Sequence, residues 1–404
     1  MAESEAAPRS RKQKRTVRLS TTIMIGFIVA VACFIGGMRA NDVLIAWGDS
    51  QNKDAPSQLD FSSVQAVYND LRENFDGKLD TGALINGAKK GLVDAAGDQY
   101  TVYFTDEEAS QFFGDLEGKF SGIGAELDKR ESQLVIVATI DGAPAQGAGL
   151  KAGDAIASVN GEESADWSIE QAVSKIRGEK GTTVKLGIVR NGSLQEFSIV
   201  RDEITTPSVT YKIDDNIGYM RISRFAENDT ASLSQKAAEE FKAKGVKGVV
   251  LDLRGDGGGY LTAAQSVASL WLNNKTIVQE RRGDEVKDTL TSGNNPILAS
   301  IPTVVLVDGG SASASEIVAG ALSDNGAAKL VGTQTFGKGS VQQIEEVAGG
   351  GVLKVTVAKW YTPNGKNINK EGIAPDVKVE LSEDDLKNNR DPQKDKAYSL
   401  VKGL

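Results

Sequence analysis

Three serines alternate with alanine over Ser311-Ala312-Ser313-Ala314-Ser315, and a lysine between two glycines, Gly337-Lys338-Gly339, lies 25 residues beyond the middle one. A hydroxyl paired with an amine is chemistry for acyl transfer: the oxygen attacks a carbonyl, and the amine, when neutral, takes its proton. The rest of the composition narrows the options by exclusion. The 404 residues include no histidine, which removes Ser-His-Asp and Cys-His mechanisms and His-based zinc sites together. Cys33, the one cysteine, sits in an apolar run, where it forms no intramolecular disulfide and is poorly placed as a thiolate. A covalent hydrolase built from this chain therefore uses Ser or Thr as nucleophile, with Lys, Asp, Glu or a terminal amine as base.

The elements that would position these groups are legible around them. Thr303–Val307 is a short β-branched apolar run that predicts a buried strand, and the pattern after Gly310 turns helical, so a strand feeds a helix through the serine turn. Ala328–Thr333 predicts a further strand before the glycine-flanked lysine. The serines by themselves cannot be ranked, and Ser313 followed by Glu316 also reads as a capping box at the start of an apolar helix. A helix N-terminus stabilises negative charge, so a serine there could share its oxyanion with the amide of Ala314. Lys338 can act as a base only if burial lowers its pKa; the competing reading is an exposed turn lysine. Gln342 can orient a neutral amine through its carbonyl without charging it. Upstream, Gly248–Arg254 predicts a buried strand that runs into Gly255-Asp256-Gly257-Gly258-Gly259 and a helix over 260–272. The amides of such a turn can face an anion or merely close a tight bend. Its spacing is not that of a dinucleotide fingerprint.

Taken in order, the chain opens with six Lys or Arg against two Glu in residues 1–18, followed by a span without charge, Leu19–Met38. That is the length of one membrane crossing, and the flanking charge predicts a cytoplasmic N-terminus with the body facing outward, at the cell (inner) membrane and periplasmic or otherwise extracytoplasmic. A cleaved signal peptide or a lipid-modified Cys33 are the alternatives. The net charge of −9 leaves −13 on the remainder, an acidic body that argues against nucleic-acid binding. Residues 39–117 read as a tether and a small helical unit, with helices over 61–74, 81–95 and 107–116, suited to packing or to homo-oligomer formation. From Gly118 to Asp202 the texture changes to short strands, glycine turns and a helix at Ile169–Ile176. Residues 203–381 alternate strands and helices as an α/β unit with β-hairpins appended over 341–360, and 382–404 read as a tail. The fold class expected is α+β multidomain: a transmembrane helix, a helical unit, a strand-rich domain and an α/β core.

Two resemblances make this concrete. Residues 118–202 resemble a PDZ domain, with Ser121-Gly122-Ile123-Gly124 similar to the loop that holds a terminal carboxylate and Gly149–Asp154 similar to the turn before the central strand. The stretch from about Phe61 to Leu381 resembles the carboxyl-terminal processing, or tail-specific, serine proteases. The resemblance implies a Ser-Lys endopeptidase in which Ser313 is the nucleophile, Lys338 the general base and Gln342 its orienting partner. It also places Asp324 where some members carry a supporting acid, and assigns an oxyanion amide to Gly258, in the turn after the Leu251-Asp252-Leu253-Arg254 strand, beside that of Ala314. Gly255-Asp256-Gly257 departs from the Asn-Asn-Pro that members often carry. The implied partners are proteins with accessible C-terminal tails, held by Gly122, Ile123 and Gly124, with tail binding gating the site and no metal or other cofactor required. The alternatives from other classes are an anchored PDZ scaffold that binds tails without cutting them, and an acyl hydrolase on the same core.

Overall fold

The computed structural model describes residues 55–404 except 131–132, 141, 383, 386–387, 389 and 404. The basic segment, the anchor at 19–38 and Cys33 lie outside the described residues; among those described, no helix is long and apolar enough to cross a membrane. Contacts divide the chain into two compact units, Met1–Leu79 and Asp80–Leu404. The first contains α1 (Ser62–Asn74), whose apolar residues Val64 and Val67 are exposed.

The second unit begins with α2 (Thr81–Asp94), capped by the Asp80 carboxylate on the Ala83 N–H, then β1 (Val102–Phe104) and α3 (Asp106–Leu116). A complete capping box of Thr105 and Glu108 starts α3. The strand-rich domain follows: β2 (Lys119–Gly122), β3 (Ala125–Arg130), β4 (Gln133–Thr139), α4 (Pro144–Gly147), β5 (Ala155–Val159), β6 (Glu162–Glu163), α5 (Ile169–Ile176), β7 (Thr183–Arg190), β8 (Ser193–Val200) and β9 (Asp202–Thr205). Its sheet runs β3-β4-β5-β7-β8, and β2 pairs instead with β9, closing the domain onto its own exit strand. Alternate residues Val184, Leu186 and Ile188 of β7 are fully buried beneath Ala172 and Ile176 of α5, the period of two expected of a one-sided sheet.

The core contains β10 (Val209–Asp214), β11 (Ile217–Ile222), α6 (Thr230–Lys244), β12 (Gly248–Asp252), α7 (Leu261–Ala268), β13 (Thr276–Arg282), β14 (Glu285–Thr291), β15 (Thr303–Val307), α8 (Ala314–Asp324), β16 (Lys329–Gly332), β17 (Ser340–Glu346), β18 (Val352–Tyr361), β19 (Val377–Lys378) and α9 (Pro392–Gly403). The main sheet is β10-β11-β12-β15-β16-β19, parallel from β11 onward. Every residue of β12 and β15 is buried, because helices cover both faces. Val249, Leu251, Val305 and Val307 pack with α6, α7 and α8, while Val250, Val304 and Leu306 pack on the opposite face with Ala397 and Val401 of α9. Residues 392–403, expected as part of a tail, thus complete the core; a Cβ on Gly248 would sit 2.4 Å from Val401 Cγ2, so only glycine admits that helix. A second sheet, β1-β18-β13-β14 with β17 on β18, contains the expected hairpin at 340–361 and an unexpected one at 276–291. The carboxyl ends of the adjacent parallel strands β12 and β15 open into turns at one edge, where open α/β sheets bind ligands.

Candidate active site

The structure separates the three serines that composition left equal. Ser311 is fully buried, with its hydroxyl donating to Leu253 O at 2.7 Å, and Ser315 is fully buried, donating to Asp256 O at 2.9 Å. Both tie the β15–α8 turn to the β12–α7 turn. Ser313 alone is partly accessible, and its backbone takes φ 56°, ψ −114°, a left-handed conformation that disfavours any side chain. Such strain persists only where the surroundings hold it. Here Ile317 N–H donates to Ser313 O at 2.9 Å, and Ser313 N–H donates to Glu316 Oε2 at 2.9 Å, the return half of the expected capping box.

Glu316 does more than cap. Its side chain is fully buried, Oε1 accepts from Thr335 Oγ1 at 2.6 Å and Gly337 N at 2.7 Å, and Oε2 accepts from Lys338 N at 2.9 Å as well as from Ser313 N. One carboxylate therefore fixes the backbone of the serine to the backbone of the lysine loop. The Ser-x-x-Glu spacing signalled the first of these contacts; nothing local signalled the other three. The flanking glycines have steric reasons. A Cβ on Gly337 would lie 2.9 Å from Gly372 N, and one on Gly339 would lie 2.4 Å from Asn369 N, so residues 369–372 lie too close for a side chain.

Ser313, Ala314, Gly258, Lys338 and Gln342 all line one cavity of about 490 Å³, walled further by Phe112 and Phe113 of α3 and by Lys354 of β18. Lys338 is half-buried. Burial pushes its ammonium below the usual lysine range, and the Glu316 charge opposes that. Its Nζ lies over the Tyr100 ring, 5.6 Å from the centroid, and among the described residues no hydrogen bond joins it to Ser313. Gln342 Nε2 donates to Ser340 Oγ at 2.6 Å and Thr356 Oγ1 at 3.4 Å, and among the described residues no hydrogen bond joins Gln342 to Lys338. Lys354, which sequence reasoning missed, has its Nζ beside the stacked Phe104–Phe112 pair, 5.4 and 5.1 Å from the ring centroids. Burial and the neighbouring Lys338 push its pKa down, with Asp98 opposing.

Two expected oxyanion donors differ. The Ala314 N–H, at the first turn of α8, has no partner among the described residues. Gly258 sits against Ser313: a Cβ there would lie 2.8 Å from Ser313 Cβ. Its N–H, however, donates to Asp256 Oδ1 at 2.8 Å, so as folded it faces its own turn. Asp324 is a correction. It stands at the opposite end of α8 from Ser313, where Oδ2 accepts from Asn364 N at 2.9 Å, and so it holds the 362–365 turn and does not touch the cavity. In the strand-rich domain, Gly122, Ile123 and Gly124 are buried, with the Ile123 and Gly124 carbonyls accepting from Ala145 and Ile140 at 2.7 and 2.9 Å. Gly124 has φ 72° and no room for a Cβ beside Ala143.

Comparison with known proteins decides the family. Residues 216–379 match the model of peptidase family S41, and residues 121–200 match that of the PDZ domain. The chain is 36% identical over 373 residues to the carboxy-terminal processing protease CtpA of Bacillus subtilis (strain 168), covering 91% of this chain and 78% of that one. It belongs to peptidase family S41. As an S41 enzyme it is a serine protease of the carboxy-terminal processing kind, carrying a PDZ domain before its α/β core. It is also 38% identical over 327 residues to CtpB of the same organism, covering 78% of this chain and 67% of that relative. Among solved structures, this S41 chain superposes on a photosystem II D1 C-terminal processing protease with TM-score 0.51 and 28% identity, covering 79% of this chain and 87% of the other.

Proposed function

We propose that the chain is a Ser-Lys endopeptidase that cleaves proteins recognised by a free C-terminus, anchored in the cell membrane through 19–38 with its body outside the cytoplasm. Ser313 Oγ attacks the scissile carbonyl while neutral Lys338 takes its proton; the C–N bond then breaks, the lysine returns the proton to the leaving amine, and water hydrolyses the acyl-enzyme by the same route. The Ala314 amide, at a helix N-terminus, stabilises the oxyanion, joined by the Gly258 amide when that peptide turns outward. Gln342 orients the neutral amine once it leaves Ser340.

The observation that carries this reading is the Glu316 clamp, which joins a strained, partly accessible serine to the loop of a half-buried lysine by four hydrogen bonds, beside the Phe336 N–H that donates to Ser311 O at 3.0 Å. The side-chain tips are not yet engaged, which fits a resting enzyme gated by its PDZ domain. A contact route for such gating exists: Arg177, at the end of α5, stacks 4.7 Å over Phe120 beside the carboxylate loop and pairs with Asp115 of α3 at 2.8 Å, and α3 carries Phe112 and Phe113 into the cavity. A tail docked at Gly122–Gly124 would shift Phe120 and Arg177, and through them the cavity wall.

The test is cleavage of an unstructured protein by the full chain, compared with Ser313→Ala and Lys338→Ala. Each variant should lose activity by about 10³-fold or more. Blocking the substrate's C-terminus should slow the parent enzyme. Undiminished cleavage in either variant would overturn the dyad; equal tail binding and no cleavage by all three would identify a scaffold.

A further inference from the structure

Asp256 stands in the turn that carries the Gly258 amide, and its situation is unusual for a carboxyl group. It is fully buried, Oδ1 accepts one hydrogen bond, from Gly258 N–H at 2.8 Å, and Oδ2 has no hydrogen-bond partner. Its own carbonyl accepts from Ala312 N at 3.0 Å and Ser315 Oγ at 2.9 Å, so the residue is clamped against the nucleophile turn. An acceptor two residues ahead of an amide is a common way to brace a turn, but a neutral acceptor such as asparagine would hold the same N–H more weakly and with no charge to bury. A buried carboxylate with one oxygen unsatisfied is expensive, and proteins relieve that by holding the proton.

The backbone around it can move in one place. The 258–259 peptide is pinned, since Phe225 N–H donates to Gly258 O at 2.9 Å. The 257–258 peptide has only the Asp256 bond: the Gly257 carbonyl has no partner among the described residues, and Gly257 has open space where a Cβ would be. Turning that plane rotates ψ of one glycine and φ of the next, and Gly258 already sits at φ 101°. Turned outward, its N–H would face the Ser313 side of the cavity.

We propose that Asp256 is a positioning residue for the oxyanion site: ionised, it holds the Gly258 N–H inward and sets a negative charge beside the developing oxyanion; neutral, it frees the 257–258 peptide to turn toward Ser313. This rests on the Ser313–Lys338 reading above. The groups facing Asp256 are Arg221 and Arg224 from β11 and the loop after it, which favour the carboxylate, and the Ser315 hydroxyl from α8; Asp308, across the turn, is occupied by Gly255 and Gly310 N–H. Burial outweighs the two arginines and pushes the carboxyl up to about 7, so both forms are accessible under ordinary conditions.

The experiment compares kcat of the full chain and of Asp256→Asn from pH 5.5 to 9, with Ser313→Ala as control. Expressed as the ratio of variant to parent, the contribution of Lys338 cancels. The ratio should stay nearly constant below pH 6 and climb about tenfold by pH 9, a part of the roughly 10²- to 10³-fold that one oxyanion donor commands. A merely structural role would give a ratio below one that does not depend on pH, and that result would overturn the proposal. Should Asp256→Asn fail to fold, the carbonyl stretch of the protonated acid, followed by infrared difference spectroscopy between Ser313→Ala and the double variant with Asp256→Ser, gives a second readout. An acid band that disappears near pH 7 supports the proposal, and its absence throughout refutes it. Persisting cleavage by Ser313→Ala would instead overturn the underlying reading.

Discussion

Two fully buried carboxyl groups flank Ser313, and they are treated in opposite ways. Glu316, at the start of α8, receives four hydrogen bonds, so all the usual demands of a carboxylate are met. Asp256, in the turn after β12, receives one and has an oxygen with none. The satisfied group builds a rigid frame, because each of its donors comes from backbone or hydroxyl that cannot be neutralised by a proton. The unsatisfied group is poised between two protonation states. The pair shows that burial alone does not tell what a charge is for; the number of donors aimed at it does.

The largest effect that would test this contrast is at Glu316. Glu316→Gln keeps the shape but turns an NH₂ group toward two of the four donors, leaving them unmatched. We expect destabilisation of ~2 to 5 kcal/mol by urea unfolding, together with a loss of activity approaching that of Lys338→Ala. If the variant unfolds like the parent, the frame is not held where the distances place it.

Asp256→Asn should do the reverse, and its sign depends on pH. The folded carboxyl titrates at about 7, above the ordinary Asp value of 3.8, so the folded state binds the proton more tightly than the unfolded chain. The stability this contributes is complete below the unfolded value and is lost as pH rises through about 7. The asparagine escapes that loss but leaves an NH₂ without a partner. A net gain of ~1 to 2 kcal/mol at pH 8, turning to a deficit of ~2 to 3 kcal/mol at pH 4, is expected from urea unfolding in a Ser313→Ala background, which prevents self-digestion. A constant difference across that range would mean that the carboxyl is ionised in both states.

The same contrast explains what could be read from the chain alone. The strand Thr303–Val307 and the helix at Ile169–Ile176 were predictable within a residue, since each is announced by local periodicity. Ser313 and Lys338 are singled out by spacing and resemblance, yet what distinguishes Ser313 from Ser311 and Ser315 is burial and partners, which alternating Ser and Ala cannot encode. Glu316 was legible as a cap but not as the link to Thr335, Gly337 and Lys338, because such contacts join segments about 20 residues apart without any periodic signal. The hairpin at 276–291, the docking of α9 and the approach of Tyr100 and Lys354 to the base are likewise products of tertiary packing. Asp324 was misplaced because its sequence position near the site says nothing of the length of α8, whose 11 residues carry it about 15 Å along the axis from Ser313.

The finest distinction concerns the proton on Lys338, on which two neighbours act with opposite sign. The Tyr100 ring presents its negative face to the ammonium and favours the charged form, which is idle as a base. Lys354, in the same cavity and electrostatically coupled to Lys338, disfavours it. The repulsion must act equally on both lysines, since an interaction between two titrating groups belongs to the pair. Under the proposed dyad a neutral amine is needed, so activity should rise with pH through the Lys338 titration. Lys354→Met should therefore move that rise to higher pH and Tyr100→Leu to lower pH, each by a fraction of a pH unit, while Lys354→Arg keeps the charge and the parent profile. Profiles of kcat against pH read this directly. Shifts of the same sign in Lys354→Met and Tyr100→Leu would show that the two residues act through the shape of the cavity and not through the charge on the base.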